Sequence, residues 1–332
     1  MTSYHRSRDV FQADHEAREA LRAAQWTFGP TSGLEVFGLR LDLATPAAIT
    51  AEKANAPAIG LPTLDGFLGY IAFQAALDEA IRTAPHLSRR LIWQWNTALR
   101  DPNTWIDFRL PLRTVQLQGT LSMFDCSVGL PIDRAGNMLV PAGGFFIRNS
   151  YDLVTHPEVA DSIPLRRRVS DPFGRPLSLK NKLVMSEGTT KSIDNRLYFP
   201  LTTSYVFFFR GDCAGVERLL QFAQTKDIGL GKKTSLGYGQ IASYEIVPRP
   251  DITATWAFPV FGNRHNTLIK SVPFDLVYGR RETPDHYSRE LFGCERYAFI
   301  AIVETLGTYR PPYWLRERRT QIAQYGSVIQ ER

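Results

Sequence analysis

The stretch Ile228-Gly229-Leu230-Gly231-Lys232-Lys233-Thr234-Ser235-Leu236-Gly237-Tyr238-Gly239-Gln240-Ile241 decides how the rest of the chain is read. Four glycines, two lysines and two aliphatic hydroxyls are packed between a segment with helical periodicity and one with strand alternation. Glycine permits positive φ and lets another backbone come close, so this spacing predicts a loop on whose amides an anionic polymer can lie. Lys232 and Lys233 would add the charge. The competing description is a tight helix-to-strand connection whose lysines are simply solvated.

The order of elements around the loop matters more than its composition. Upstream, Asp212 is placed to cap a helix in which Val216, Leu219, Leu220 and Ala223 recur at helical spacing; downstream, Ile241 to Val247 reads as a strand. Dinucleotide folds and P-loops need the reverse order, strand then glycines then helix, so that phosphate meets a helix N-terminus. Both nucleotide-binding readings are therefore set aside, although Gly-Leu-Gly and Gly-Lys-Lys-Thr superficially resemble each. Further upstream, Leu197 to Arg210 carries Tyr205, Val206 and Phe207-Phe208-Phe209, strong strand formers. Residues 197 to 247 thus form a β-α-loop-β unit.

A similar unit opens the core. From Leu34, the residues Phe37, Leu39, Leu41 and Leu43 alternate with Gly38, Arg40 and Asp42, the pattern of a half-buried strand. Pro46, Pro57 and Pro62 interrupt the chain until Leu64-Asp65-Gly66-Phe67-Leu68, where Leu64, Leu68, Ile71 and Ala75 become the apolar face of a helix. Two such units, Leu34 to Asp78 and Leu197 to Val247, are what a ferredoxin-like or RRM-like sheet requires. The expected class is α+β. The expected division is an extension over 1–29, a core over 30–247 interrupted by an insertion at about 85–195, and an appendage over 248–332.

The flanking regions are less specific. Residues 15 to 25 read as a short alanine-rich helix, serving equally well as a docking arm or a solvated extension. Trp93, Trp95 and Trp105 are assigned to core packing rather than base stacking. The run Arg166-Arg167-Arg168 is either a solvated loop or a phosphate contact. Arg175, Lys180, Lys182, Lys191 and Arg196 describe a basic loop with Gly188, Thr189 and Thr190. Past Pro248, a strand is expected over Tyr297 to Val303 and a basic helix around Trp314, Arg316, Arg318 and Arg319.

Size and charge narrow the class without fixing it. The chain of 332 residues has 44% hydrophobic and 12% aromatic content, which is that of a folded globular protein with a substantial core. A net charge of +6 and a pI near 9.2 favour an anionic partner. Cys126, Cys213 and Cys294 stand far apart, neither a metal pair nor a disulfide framework, and a reducing cytoplasm is expected. No apolar run has the length of a membrane span, and the N-terminus carries charges where a signal peptide would be apolar.

Nothing in the sequence points positively to catalysis. His5, His15, His86, His156, His265 and His286 occur singly, without metal-ligand spacing, so neither a metal nor another cofactor is expected. RNA cleavage needs only a base near a 2′-hydroxyl and a cation near phosphate, a task one histidine such as His265 beside Arg264 would satisfy.

Gly211-Asp212 through Leu219-Leu220, followed by Ile228 to Gln240, resembles the C-terminal half of the RAMP superfamily of CRISPR proteins. Within it, the likeness is to the 5′-handle-binding subunit of type IV systems. Leu34 to Leu43, Pro46 and Leu64-Asp65-Gly66-Phe67-Leu68 are similar to that subunit's N-terminal half. The matching residues cover about a third of the chain. The resemblance implies a modified ferredoxin-like fold gripping the 5′ handle of a guide RNA, between a repeating backbone subunit and the large DNA-reading subunit. It places the loop from Gly229 to Gly239 on the RNA backbone: Gly229, Gly231, Lys232, Lys233, Thr234, Ser235, Gly237, Tyr238 and Gly239. Arg166, Arg167, Lys180, Lys182, Lys191 and Arg196 are the further candidate RNA contacts by charge alone. The insertion and the appendage are free to touch target DNA or partner subunits. A RAMP endoribonuclease processing guide precursors and a plain protein-interaction module with a basic surface are the other readings.

Overall fold

The strand opening at Phe37 becomes the centre of a four-stranded antiparallel sheet. In the computed structural model, the described residues are 15–50, 61–88, 91–92, 108–116, 122–133, 135–137, 145–149, 193–198, 202–231, 234, 237–259, 265–273, 290–293, 297–302, 304–308, 319–323 and 326–331. Strand β1 (Phe37–Leu43) buries Leu39, Leu41 and Leu43 on one face and leaves Arg40 and Asp42 half-exposed on the other, as its alternation requires. Strands β8 (Ser204–Phe209) and β9 (Ile241–Pro248) flank it, and β5 (Leu130–Ile132) pairs with β8, giving the spatial order β5-β8-β1-β9. Each adjacent pair is antiparallel, with Leu39 opposite Phe207 on one side and Ile246 on the other.

Two helices join these strands. Helix α2 (Leu64–Thr83) follows β1, and α3 (Cys213–Thr225) follows β8. Thr63 caps α2 by accepting from the Gly66 amide at 3.3 Å. Leu64, Leu68 and Ile71 of α2 and Val216, Leu219, Leu220 and Ala223 of α3 are buried, in one cluster with Leu39, Leu41, Tyr205, Phe207 and Phe209 of the sheet. An ion pair between Lys226 and Asp78 ties the end of α3 to α2.

Strand β5 comes from the stretch read as an insertion, so Leu130–Ile132 take part in the central sheet. Between β1 and β5 lie the two-residue β2 (Ile49–Thr50) and the hairpin of β3 (Thr114–Gln116) and β4 (Ser122–Phe124). Strands β6 (Phe145–Asn149) and β7 (Ile193–Tyr198) pair with each other, and β7 with β2.

Past Pro248, β10 (Ala257–Pro259), β11 (His265–Leu268), β16 (Val328–Glu331) and β13 (Tyr297–Ala301) pair in that order, and β13 is the strand expected near Tyr297. A smaller sheet joins β12 (Val272–Pro273), β15 (Arg319–Ala323) and β14 (Glu304–Thr308). Arg319 thus departs from the expected basic helix and opens β15, where β-branched Thr320 and Ile322 favour the extended chain. Trp314, Arg316 and Arg318 lie outside the described residues, as do Trp93, Trp95 and Trp105.

The helix at 15–23, labelled α1, is docked rather than solvated. Ala17 and Leu21 are buried against Phe73, Ala76 and Ala80 on the side of α2 turned away from the sheet. Behind it, Trp26 packs edge-on to Phe222 and stacks under the Arg218 guanidinium, 4.0 Å from the ring centroid. Asp212 stands at the N-cap of α3, yet its carboxylate does not cap the helix. It accepts instead from the Gly29 amide at 2.7 Å, because the incoming arm brings an unpaired N–H to it.

The second face of the sheet is covered over β5 and β8. Phe208 stacks on Phe258 with ring centroids 6.0 Å apart and lies under the Arg249 guanidinium, beside Val36, Leu130 and Ile269. The residues after Pro248 also build a core of their own, with Trp256, Leu268, Val272, Leu291, Phe292 and Ile329, into which Val115 and Met123 of the β3–β4 hairpin insert. No helix among the described residues is long and apolar enough to cross a membrane.

Candidate nucleic-acid interface

The glycine loop leaves α3 through Asp227, a non-glycine residue at φ 52°, and the Ile228 amide donates back to the Ala223 carbonyl at 2.8 Å. This closes the helix with an exit bond spanning five residues. Ile228 and Leu230 are then buried in the main core, fixing the start of the loop from below.

Above that anchor the loop folds onto itself and onto the segment that follows β1. The Leu230 amide donates to the Gly239 carbonyl at 2.8 Å, and the Gly239 amide donates to the Pro46 carbonyl at 3.0 Å. The Thr45 hydroxyl donates to the Gly237 carbonyl at 2.6 Å and accepts from the Gln240 amide at 3.1 Å. Thr45 and Pro46 thus hold both sides of the loop's closing turn. Sequence reading named Pro46 as a break after the strand and as part of the N-terminal resemblance, but did not single out Thr45 or join either residue to the glycine loop.

The glycines divide by task. A Cβ on Gly239 would stand 2.0 Å from the Leu230 carbonyl oxygen, and one on Gly231 would stand 2.5 Å from that of Ala48, both at positive φ. Gly229 is closed in by the Tyr238 and Gly239 carbonyls, each at 2.7 Å. These three glycines serve close approach within the protein. Gly237 differs: its φ is 86°, with nothing within 4 Å of a Cβ position, and its amide closes a turn onto the Thr234 carbonyl at 2.8 Å. Thr234, Gly237 and Tyr238 are half-exposed and Gly231 is exposed, so the loop presents a rim to solvent.

Of the residues assigned to RNA by sequence, the structure brings Gly229, Gly231, Thr234, Gly237, Tyr238 and Gly239 into this loop. Lys232, Lys233 and Ser235 lie outside the described residues, as do Arg166, Arg167, Lys180, Lys182 and Lys191. Arg196 is in strand β7, which belongs to the sheet of β2 and β6, a different one from that of β9. His265, the candidate base, starts strand β11, and its Nδ1 is buried with no hydrogen-bond partner among the described residues. No group of three or more histidine, cysteine or acidic residues among the described residues is arranged to hold a metal ion.

Two buried charge clusters lie beneath the sheet ends. Asp65, the first acidic residue of α2, accepts from the Lys270 ammonium at 3.0 Å, and the same ammonium lies 3.5 Å from Cys126 Sγ. Burial, with Asp65 alongside, pushes the Cys126 thiol up to about 12, so it stays protonated. In the second cluster the Arg210 guanidinium donates to Asp125, to the Leu34 carbonyl at 2.8 Å, to the Glu290 carbonyl at 3.0 Å and to the Thr253 carbonyl at 2.8 Å. Thr255 donates to Asp125, and Arg113 bridges to Glu290 at 2.8 Å. Burial raises the Asp125 carboxyl above its usual range, while Arg210, Thr255 and Arg113 pull it back. Each carboxylate is spent on structural partners, an arrangement that fixes geometry rather than moving protons.

The arrangement defines an antiparallel α/β protein in which a helix-to-strand glycine loop presents a partly exposed rim. The chain is similar to a solved structure, the crystal structure of the Csm3-Csm4 subcomplex in the type III-A CRISPR-Cas interference complex. Identity is 10%, the match covers 89% of this chain and 93% of that one, and the TM-score is 0.32. No protein-family model matches the chain, and no curated protein matches it.

Proposed function

We propose that this chain is a non-catalytic, RNA-binding RAMP subunit of a CRISPR ribonucleoprotein, built on a modified ferredoxin-like core. More narrowly, we assign it to a type IV effector, where it holds the 5′ handle of the guide RNA and joins the repeating backbone subunits to the large DNA-reading subunit. The observation that carries this reading is the glycine loop. It leaves a helix, is seated on Thr45 and Pro46, and turns Gly237 and Thr234 outward within the segment that contains Lys232 and Lys233.

Two further features support it. The path β1-α2-β5-β8-α3-β9 with order β5-β8-β1-β9 is that expected of the ferredoxin-like split βαβ arrangement. An RRM-type use of the sheet face, with bases stacked on aromatic residues, is closed off at β8 because Phe208 is covered by Phe258 and Arg249. The same face of β1 and β9 carries Arg40, Asp42, Ser243, Glu245 and Val247 rather than aromatic residues, which favours the loop over base stacking on the sheet.

The test is co-expression with a guide RNA carrying its repeat-derived handle, followed by sequencing of the RNA that copurifies. Filter binding across a salt series then compares the wild-type chain with the double variant Lys232→Ala/Lys233→Ala. Affinity is expected to fall, and the slope against log salt to flatten by about one unit for each phosphate that a lysine no longer neutralises. Unchanged affinity and slope would reduce the loop to a connection. Cleavage of the handle-containing precursor by the purified chain would transfer the assignment to an endoribonuclease.

A further inference from the structure

The register of β9 shows which of its backbone groups are spoken for. The Arg249 amide donates to the Val36 carbonyl at 2.7 Å, and those residues are directly opposite in the frame that pairs Gly38 with Val247, Arg40 with Glu245 and Asp42 with Ser243. Antiparallel pairs alternate between hydrogen-bonded and non-hydrogen-bonded, so Val247, Glu245 and Ser243 point their amides and carbonyls at β1. Tyr244 and Ile246 therefore point theirs the other way, to the outside of the sheet. Nothing among the described residues pairs with that edge, since β9 is the last strand in the order.

The usual protections of an edge strand are confined to its ends. A bulge shifts the register between Asp42 and Leu43, where the Gln224 side chain also reaches the Ala242 carbonyl at 3.5 Å, and Pro248 closes the other end. Between them no lysine or proline interrupts the edge, and no residue of the eight-residue strand is buried. The charge beside the edge opposes that of the whole chain. Glu245 is exposed on one side and Glu217 of α3, which faces Tyr244, on the other, and neither has a cation within pairing distance among the described residues. Arg40, opposite Glu245, is engaged with Asp42 at 3.1 Å.

We infer that the free edge of β9 is a docking site for an extended segment of a protein partner, which adds a strand and places lysine or arginine side chains against Glu217 and Glu245. Two other occupants fit less well. A phosphate backbone would meet two unpaired carboxylates. A second copy of this chain, paired with Tyr244 of each opposite Ile246 of the other, would set Glu245 directly opposite its own counterpart, which is destabilising. The inference stands on the sheet edge and does not depend on the RNA reading of the loop.

The test follows backbone amide exchange, residue by residue, in the full-length protein. Two synthetic heptapeptides of valine are added in turn, one carrying lysine at two adjacent central positions, so that each sheet face receives one, and one carrying glutamate there. The lysine peptide should slow exchange at Tyr244 and Ile246 at least tenfold and leave Glu245 and Val247, already protected by β1, unchanged; the glutamate peptide should do neither. The double variant Glu217→Lys/Glu245→Lys, which alters only exposed side chains, should keep its melting temperature and reverse the preference. Equal protection by both peptides, or by neither, would overturn the inference. So would protection produced by a single-stranded RNA, or by raising the protein concentration alone, which would give the edge to nucleic acid or to a second copy.

Discussion

Residue by residue, the glycine loop makes distinct demands that its sequence spacing does not reveal. Four glycines in one short stretch announce unusual backbone, but whether each is needed for φ, for close approach or for both depends on which chain lies across it. For Gly231 it is Ala48, far away in sequence and hence invisible to local reading, whereas for Gly229 and Gly239 it is the loop's own opposite side, at Tyr238, Gly239 and Leu230. The division of labour gives a graded prediction. Gly239→Ala forces a methyl group into the Leu230 carbonyl at positive φ and should destabilise by more than about 3 kcal/mol, or prevent folding. Gly237→Ala meets no atom and should cost only the left-handed backbone, about 1 kcal/mol. Chemical denaturation of the two variants measures both; equal destabilisation would mean that the close approach at Gly239 is not what constrains the loop.

Among the elements, the ones with clean periodicity were legible. Strand β1, helix α2 and helix α3 turn the apolar face their spacing nominated to the main core, and α2 buries a second face against α1. Strand β5 was not legible: it is three residues long, contains Pro131, and is recruited to the sheet by pairing with β8 rather than by any alternation of its own. The arm leading into β1 was equally ambiguous, since alanines such as Ala17 and Ala20 read as helix formers whether or not a partner surface exists. The structure turns Asp212 from a helix cap into the arm's tether, which sets up a discriminating substitution. Asp212→Asn retains an acceptor for the Gly29 amide and should change little. Asp212→Ala removes it, at a cost of about 1 kcal/mol, and should speed limited proteolysis within residues 24–33. A cap role would instead make alanine lower the helical signal of α3 without exposing the arm.

For the molecule as a whole, the region past Pro248 is held to the sheet by charges that no sequence pattern marks. Lys270 is one basic residue among 39, and only the fold shows that its ammonium is buried against Asp65 of the Leu-Asp-Gly-Phe-Leu element. Replacing Lys270 with methionine takes the cation from a buried carboxylate that also accepts from the Gly66 amide at 2.9 Å and should destabilise by about 3–5 kcal/mol, whereas the double variant Asp65→Asn/Lys270→Met should recover much of that stability. A double variant no better than the single would show that Asp65 is satisfied elsewhere.

The same cluster sets how the protein responds to alkali. A free thiol in the unfolded chain releases its proton near pH 8.5, whereas Cys126 in the folded protein holds its own up to about 12. Between those values the folded state binds more protons than the unfolded one, so stability is full below about pH 8.5 and falls as pH rises toward 12. Lys270 acts in the same sense: burial pulls its ammonium down, Asp65 and Cys126 more than offset this, and the stability from its net rise disappears once the pH passes through it. Tyr205, raised by burial in the core with no partner for its hydroxyl among the described residues, adds a third contribution of the same sign. Melting temperature should therefore be level from pH 7 to about 8.5 and decline steeply above it. Cys126→Ala should melt lower at neutral pH, since it removes an acceptor for Lys270 and some packing, yet decline less steeply between pH 9 and 12. If the alkaline slopes of the two proteins coincide, the thiol is not the group being titrated, and the limb belongs to Lys270 and Tyr205.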